Sequence, residues 1–131
     1  MRSLARECVF KYIFSRLFNP SDEGLFVVLC NDLKEEDKLF ATKLLTTLLE
    51  KEQEYLNSIQ ELSVSFDINR IFSIDKCAIL IAMAELDCYP QTPIAVVVDE
   101  AVNIVAKYST ENSTNFVNGI LAKYVKEKKN D

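Results

Sequence analysis

Apolar residues recur at helical spacing along almost the whole chain. Between residues 2 and 18, Val9, Ile13 and Leu17 form one stripe, flanked by Phe10, Tyr12 and Phe14. Ser3, Glu7, Lys11 and Ser15 form a polar stripe at i,i+4 spacing. This pattern predicts a first helix over 2–18. Continued toward the N-terminus, its apolar stripe runs into Arg2 and Arg6. A positive charge in the first turn opposes the helix dipole. Guanidinium groups at the end of a core-facing stripe need an anionic partner, either from the carboxylates of the same chain or from outside.

Asn19-Pro20-Ser21-Asp22 stops this helix and can cap a second. Segment 22–32 contains a Phe-Val-Val-Leu run with strand propensity. No partner strand is evident, so a short helix is expected. Segment 35–60 predicts a long helix with Leu39, Phe40, Leu44, Leu45, Leu48, Leu49, Leu56 and Ile59 on its apolar side. Segment 61–73 is a connection with room for one helical turn. A helix starting at Ser73 or Asp75 and ending near Asp87 carries Ile74, Cys77, Ala78, Ile81 and Ala82. After Tyr89-Pro90-Gln91, Thr92 suits an N-cap and Pro93 a first helical position. A helix over 93–108 follows. The last, over 113–127, has Asn112 as N-cap and a Phe116, Ile120, Tyr124 row. The fold class is all-α, with six or seven helices.

Composition agrees. The chain has 131 residues, two glycines, three prolines and no histidine. So few turn formers argue against a sandwich, a barrel or a disordered chain. Without histidine there is no Ser-His-Asp or Cys-His nucleophile and no His-based zinc site. Cys8, Cys30, Cys77 and Cys88 have no CxxC spacing, and Cys8 and Cys77 lie in apolar helical patterns. No metal or cofactor is expected. The N-terminus lacks the apolar region of a signal peptide, and no uncharged apolar stretch is long enough to span a bilayer. The expectation is a reduced, cytoplasmic protein that is not an enzyme.

The net charge of −5 disfavours non-specific nucleic-acid binding, but it is unevenly spread. Residues 1–18 hold Arg2, Arg6, Lys11 and Arg16 against Glu7, whereas residues 19–61 hold four lysines against ten carboxylates. A positive first helix on an acidic body can steer an anion to one face. The adjacent carboxylates Glu35-Glu36-Asp37 and Asp99-Glu100 point in different directions around a helix and do not converge for acid–base work. Glu85 lies within an apolar run, which favours a salt bridge inside the fold over a functional role. Gly119 interrupts an amphipathic pattern at a cost of about 1 kcal/mol against alanine. Close packing of another helix is the preferred explanation. A set of cations and rings, including Arg2, Arg6, Lys11, Phe14 and Phe116, with the polar Asn118, is suited to unpaired RNA.

Five segments then occur in a telling order: ARECVFKYIF at 5–14, DKLFATKLL at 37–45, NRIFSIDKCAILIAMAEL at 69–86, PIAVVVDEAVNIVAKY at 93–108 and NSTNFVNGIL at 112–121. In these the chain resembles the NusB family of bacterial transcription antitermination factors. The resemblance implies one domain of two small helical bundles, about 1–61 and 62–131. It implies binding to the BoxA element of nascent ribosomal RNA transcripts. It also implies a heterodimer with NusE, a small-subunit ribosomal protein, joined at RNA polymerase by other Nus factors. By the same resemblance, Arg2, Arg6, Lys11 and Phe14 of the first helix and Asn112, Phe116 and Asn118 of the last form the RNA surface, and Asp75 faces the protein partner. Lys11 stands where glutamine is frequent, Phe14 where tyrosine is frequent, and Asn112 where aspartate is common. Two other readings remain open on the residues: a helical adaptor without RNA binding, and a detached module related to ribosomal RNA methyltransferases.

Overall fold

A computed structural model describes residues 2–18, 24–63 and 68–129. Among them the chain forms α1 (Arg2–Ser15), α2 (Gly24–Cys30), α3 (Glu35–Leu62), α4 (Ser73–Cys88), α5 (Ile94–Tyr108) and α6 (Glu111–Lys129), with a 3-10 turn at Ile68–Arg70. The described residues contain no strand. The Asn19–Asp22 stop signal lies outside the described residues.

The architecture is organised around α4. Its sequence is apolar nearly all the way round, which suits a helix enclosed by others. Every residue from Cys77 to Glu85 is buried. Helices α1, α3, α5 and α6 all pack against it. The alanines at 78, 82 and 84 leave room for close neighbours, and the larger Ile79, Ile81 and Met83 fill the space between them. One continuous core takes Val9 and Ile13 from α1, Leu44, Leu48 and Ile59 from α3, Val97 and Val105 from α5, and Val117 and Leu121 from α6. Tyr55 of α3, fully buried, extends its hydroxyl to Asp87 Oδ2 at 2.5 Å. Lys51 and Lys128 also reach that carboxylate, at 3.4 and 2.8 Å. The site thereby ties α3, α4 and α6 together.

Several boundaries differ from the sequence expectation. The first helix ends at Ser15. Leu17 and Phe18 form a tighter turn through Leu17 N–H to Phe14 O and Phe18 N–H to Ser15 O, which leaves both side chains exposed. In α2 the apolar run feeds the core only in part: Phe26 and Leu29 pack against it, whereas Val27 and Val28 are each 70% exposed. Leu39 and Leu49 of α3 are likewise exposed. Pro93, and not Thr92, is the N-cap of α5, and no side chain closes that end. Its carbonyl accepts the N–H groups of Val96 and Val97 instead. Asn112 is not the cap of α6 either. The Ser113 N–H donates to the carbonyl (3.1 Å) and hydroxyl (3.3 Å) oxygens of Thr110, three positions earlier. A hydroxyl three residues ahead of the N–H is the spacing a cap requires, and Thr110 supplies it. No described helix is long and apolar enough to cross a membrane.

Candidate nucleic-acid interface

The seven residues expected at the RNA surface fall into separate groups. Arg6 is inside the protein. Its Nε and Nη2 donate to Glu85 Oε1 and Oε2, both at 2.6 Å, and the two residues are 4% and 1% exposed. Glu100 lies 3.4 Å from Nη1. Burial opposes the Arg6 charge, but the hydrogen bond and charge of Glu85, then the charge of Glu100, outweigh it and the pKa is raised. The assignment of Arg6 to phosphate is therefore corrected: its donors are spent on carboxylates, and it fixes α1 onto α4 and α5. Glu85 is the salt-bridge partner that its apolar setting suggested.

Arg2 remains exposed at the start of α1. Its guanidinium lies 4.7 Å above the Phe40 ring and 5.3 Å from that of Tyr89, and the two rings stack at 4.6 Å. Lys43 lies 4.7 Å from the Tyr89 ring. Arg2 also borders an open cleft of about 580 Å3 with Tyr89, Gln91 and Thr92. Twelve residues of helix separate Arg2 from Phe14, about 18 Å along the axis.

Lys11 and Phe14 stand on the other half of α1. An aromatic row runs from Tyr108 through Phe10 (5.4 Å) and Phe14 (5.9 Å) to Phe18 (5.5 Å). Beside it, Glu7 accepts from Lys107 at 2.8 Å and from the Tyr108 hydroxyl, and Lys11 lies 3.8 Å away. The Lys107 and Tyr108 hydrogen bonds hold the Glu7 carboxyl below its ordinary range. The row also draws the end of α5, and with it the turn into α6, against α1. Sequence reading missed Tyr108 as a neighbour of this face because its partner Glu7 is about a hundred positions away.

The turn delivers the start of α6 beside the start of α4. There Arg70, Ile71, Phe72, Asp75, Thr110, Asn112, Ser113 and Phe116 surround a mainly apolar cleft of about 180 Å3. Asn112 is exposed and Phe116 half-buried. Asp75 is 3% exposed, and its Oδ2 accepts a 2.7 Å hydrogen bond from Ser113 Oγ. Ser109 and Thr110 hold that hydroxyl in turn, at 2.9 and 3.0 Å. The structure thus brings Asp75, Asn112 and Phe116 together. Phe72, Arg70 and Ser113 were not singled out from sequence; the Thr110-x-x-Ser113 spacing was the available signal.

Asn118 is exposed, but two residues beyond Phe116 it lies about 200° round the helix, on another flank of α6. Gly119, seven residues after Asn112, shares the Asn112 flank. A Cβ at Gly119 would meet nothing within 4 Å. The expected close helix packing is therefore absent, and the bare backbone faces open space.

A model of the NusB family matches residues 3–126, nearly the entire chain. The chain belongs to the NusB family. It is 30% identical over 132 residues to the transcription antitermination protein NusB of Alkaliphilus oremlandii, covering 96% of this chain and 94% of that one. Against the NusB of Syntrophomonas wolfei it is 32% identical, with 97% of both chains covered. The fold is similar to T. maritima NusB, with a TM-score of 0.91 and 28% identity over 97% of this chain and 92% of that one. It is also similar to a chain in a crystal structure of the antitermination factors NusB and NusE with double-stranded RNA, with a TM-score of 0.85 and 25% identity over 96% of each. NusB proteins are transcription antitermination factors and not enzymes.

Proposed function

We propose that this NusB chain binds single-stranded BoxA-type RNA of nascent ribosomal RNA transcripts together with NusE, as part of an antitermination assembly with other Nus factors and RNA polymerase. The observation that carries the reading is the stacking of Tyr108, the last residue of α5, on Phe10 of α1, which ties the cationic, ring-bearing face of α1 to the turn that opens α6 and to the cleft edged by Asn112, Phe116 and Arg70. Unpaired bases are recognised by stacking on rings and by hydrogen bonds to their edges, and cations hold the phosphates. Phe14 and Phe116 supply the rings, Asn112 an amide, and Lys11 and Arg70 the charge. Arg2 offers a second phosphate anchor toward the other end of α1. Arg6 acts from within, by fixing α1 on the core. Asn118 extends the surface around the far flank of α6.

NusE docks at the α4 N-terminus, the end that carries Asp75 and the exposed Phe72. A protein of net charge −5 has few cations to give to RNA, so the partner adds both cationic surface and effective concentration. A relative of similar fold occurs in a complex with NusE and double-stranded RNA, which supports NusE and RNA as the partners. The test is a fluorescence titration of BoxA-type single-stranded RNA with the chain alone and with NusE, at two salt concentrations. Binding that tightens with NusE and weakens as salt rises is expected. A partner complex that forms without binding the RNA would leave the chain as a protein adaptor.

A further inference from the structure

One carboxylate oxygen gathers two cations beside the aromatic row of α1 and α5. Glu7 Oε1 accepts from Lys107 Nζ at 2.8 Å and from the Tyr108 hydroxyl, and Lys11 Nζ lies 3.8 Å from it. The Lys107 and Lys11 side chains are 59% and 50% exposed, the Glu7 side chain only 19%. The cations therefore open to solvent, with the carboxylate behind them. Lys107 also lies 5.1 Å from the Tyr108 ring, at the end of the row that continues through Phe10 to Phe14. We infer that Glu7 is an internal stand-in for an RNA phosphate: in the free protein it holds Lys107 and Lys11 beside the aromatic row, and on binding it yields both ammonium groups to phosphates of the strand. The inference rests on the RNA reading given above, and adds Lys107 and a competing carboxylate to that surface.

The alternative is a plain structural tie that fixes the end of α5 on α1. Three features favour exchange with a ligand. First, an ion pair to so exposed a cation adds little to stability, so the fold does not depend on Lys107 staying in place. The stacking of Tyr108 on Phe10 holds α5 against α1 without it. Second, Glu7 is not stranded when the lysines leave, because the Tyr108 hydroxyl still donates to it. Third, both ammonium groups reach the same oxygen, so they lie close enough together to serve one stretch of sugar-phosphate backbone. Each carries three N–H donors, so a phosphate can be engaged before the carboxylate is released. Glu7 is ionised at neutral pH, since Lys107 and Tyr108 hold its carboxyl below its ordinary range. Its charge weakens attachment by phosphates alone, which leaves stacking and base contacts a larger share of the affinity.

The test titrates BoxA-type single-stranded RNA against the chain in complex with NusE over a range of salt, for the unmodified protein, Glu7→Gln, Lys107→Ala and the double variant. Glutamine keeps an oxygen for Lys107 and Tyr108 and removes only the charge. Glu7→Gln is expected to tighten binding about threefold, the size of one surface charge pair. Lys107→Ala should weaken binding and make the slope of log affinity against log salt shallower by about 0.7. In the double variant the gain from glutamine should shrink, because the cation it releases is gone. Thermal melts accompany every titration. A melting temperature that falls in the variants while affinity and salt slope stay put marks a structural tie and overturns the inference. A Glu7→Gln gain that is undiminished in the double variant also overturns it. If Glu7→Gln fails to fold, the Lys107→Ala slope decides: an unaltered slope overturns the inference and leaves RNA binding intact. No RNA binding by the unmodified complex overturns the RNA reading and the inference together.

Discussion

Arg6 and Glu85 meet through two 2.6 Å hydrogen bonds at the centre of the fold, seventy-nine positions apart in sequence. The pair is nearly free of solvent, so removing one partner strands the other charge. Glu85→Ala should destabilise the protein by about 3–5 kcal/mol, read from urea denaturation. Replacing both residues with apolar side chains of similar volume should recover much of that loss. Arg6→Ala should weaken RNA binding only in step with its loss of folded protein.

In the proposed interface, Lys11 is the cation that α1 presents to a phosphate. Lys11→Ala should weaken RNA binding and reduce the slope of log affinity against log salt by about 0.7, the value for one phosphate contact on a single strand. Stability should hardly change, because its contact with Glu7 is a 3.8 Å surface pair that Lys107 and Tyr108 duplicate. An unaltered slope would remove Lys11 from the interface.

Gly119 separates folding from binding. With nothing within 4 Å of an added Cβ, Gly119→Ala should stabilise the free protein by up to about 1 kcal/mol through helix propensity. If RNA presses against that flank of α6, the same methyl group should lower RNA affinity. Thermal melts and RNA titrations of the one variant give the two answers. A variant that is more stable and binds RNA as well as before would place the contact elsewhere.

Asp87 gives the fold an acid limit. Burial raises the pKa of this carboxyl, but hydrogen bonds from Lys128 and Tyr55 and the charges of Lys128 and Lys51 prevail, so it lies below its ordinary value. A depressed folded-state pKa contributes stability that is complete above the unfolded value, about 4, and is lost as pH falls through the folded one. Stability measured by denaturant should therefore decline below about pH 4. In Asp87→Asn that decline should be shallower, from a lower stability at neutral pH. Glu7, lowered by Lys107 and Tyr108, adds to the same limb.

The helices were legible because each core-facing stripe repeats at helical spacing, and α4 announced its enclosure by being apolar on every side. The ends were less legible. Thr110 caps α6 where Asn112 was expected, because both are capping residues and only backbone geometry chooses between them. The candidate site was half visible. Phe116 and Asn112 carried a recognisable pattern, but the companions of that pattern come from distant segments: Arg70 from the 3-10 turn before α4, Phe72 and Asp75 from the N-cap and first turn of α4, and Tyr108 through its ring contact with Phe10. Arg6 shows the reverse. Its place on the apolar stripe was the true signal of burial, and Glu85, equally out of place in its own helix, was the matching half.

The most direct test of the account is a crosslinking map of BoxA-type RNA carrying 4-thiouridine, bound to the chain with NusE and read by mass spectrometry. Crosslinks are expected on the second half of α1, around Lys11 and Phe14, and on the start of α6, around Asn112 and Phe116. Crosslinks confined to the acidic face of α3, or to NusE alone, would contradict the claim that α1 and α6 together form the RNA surface.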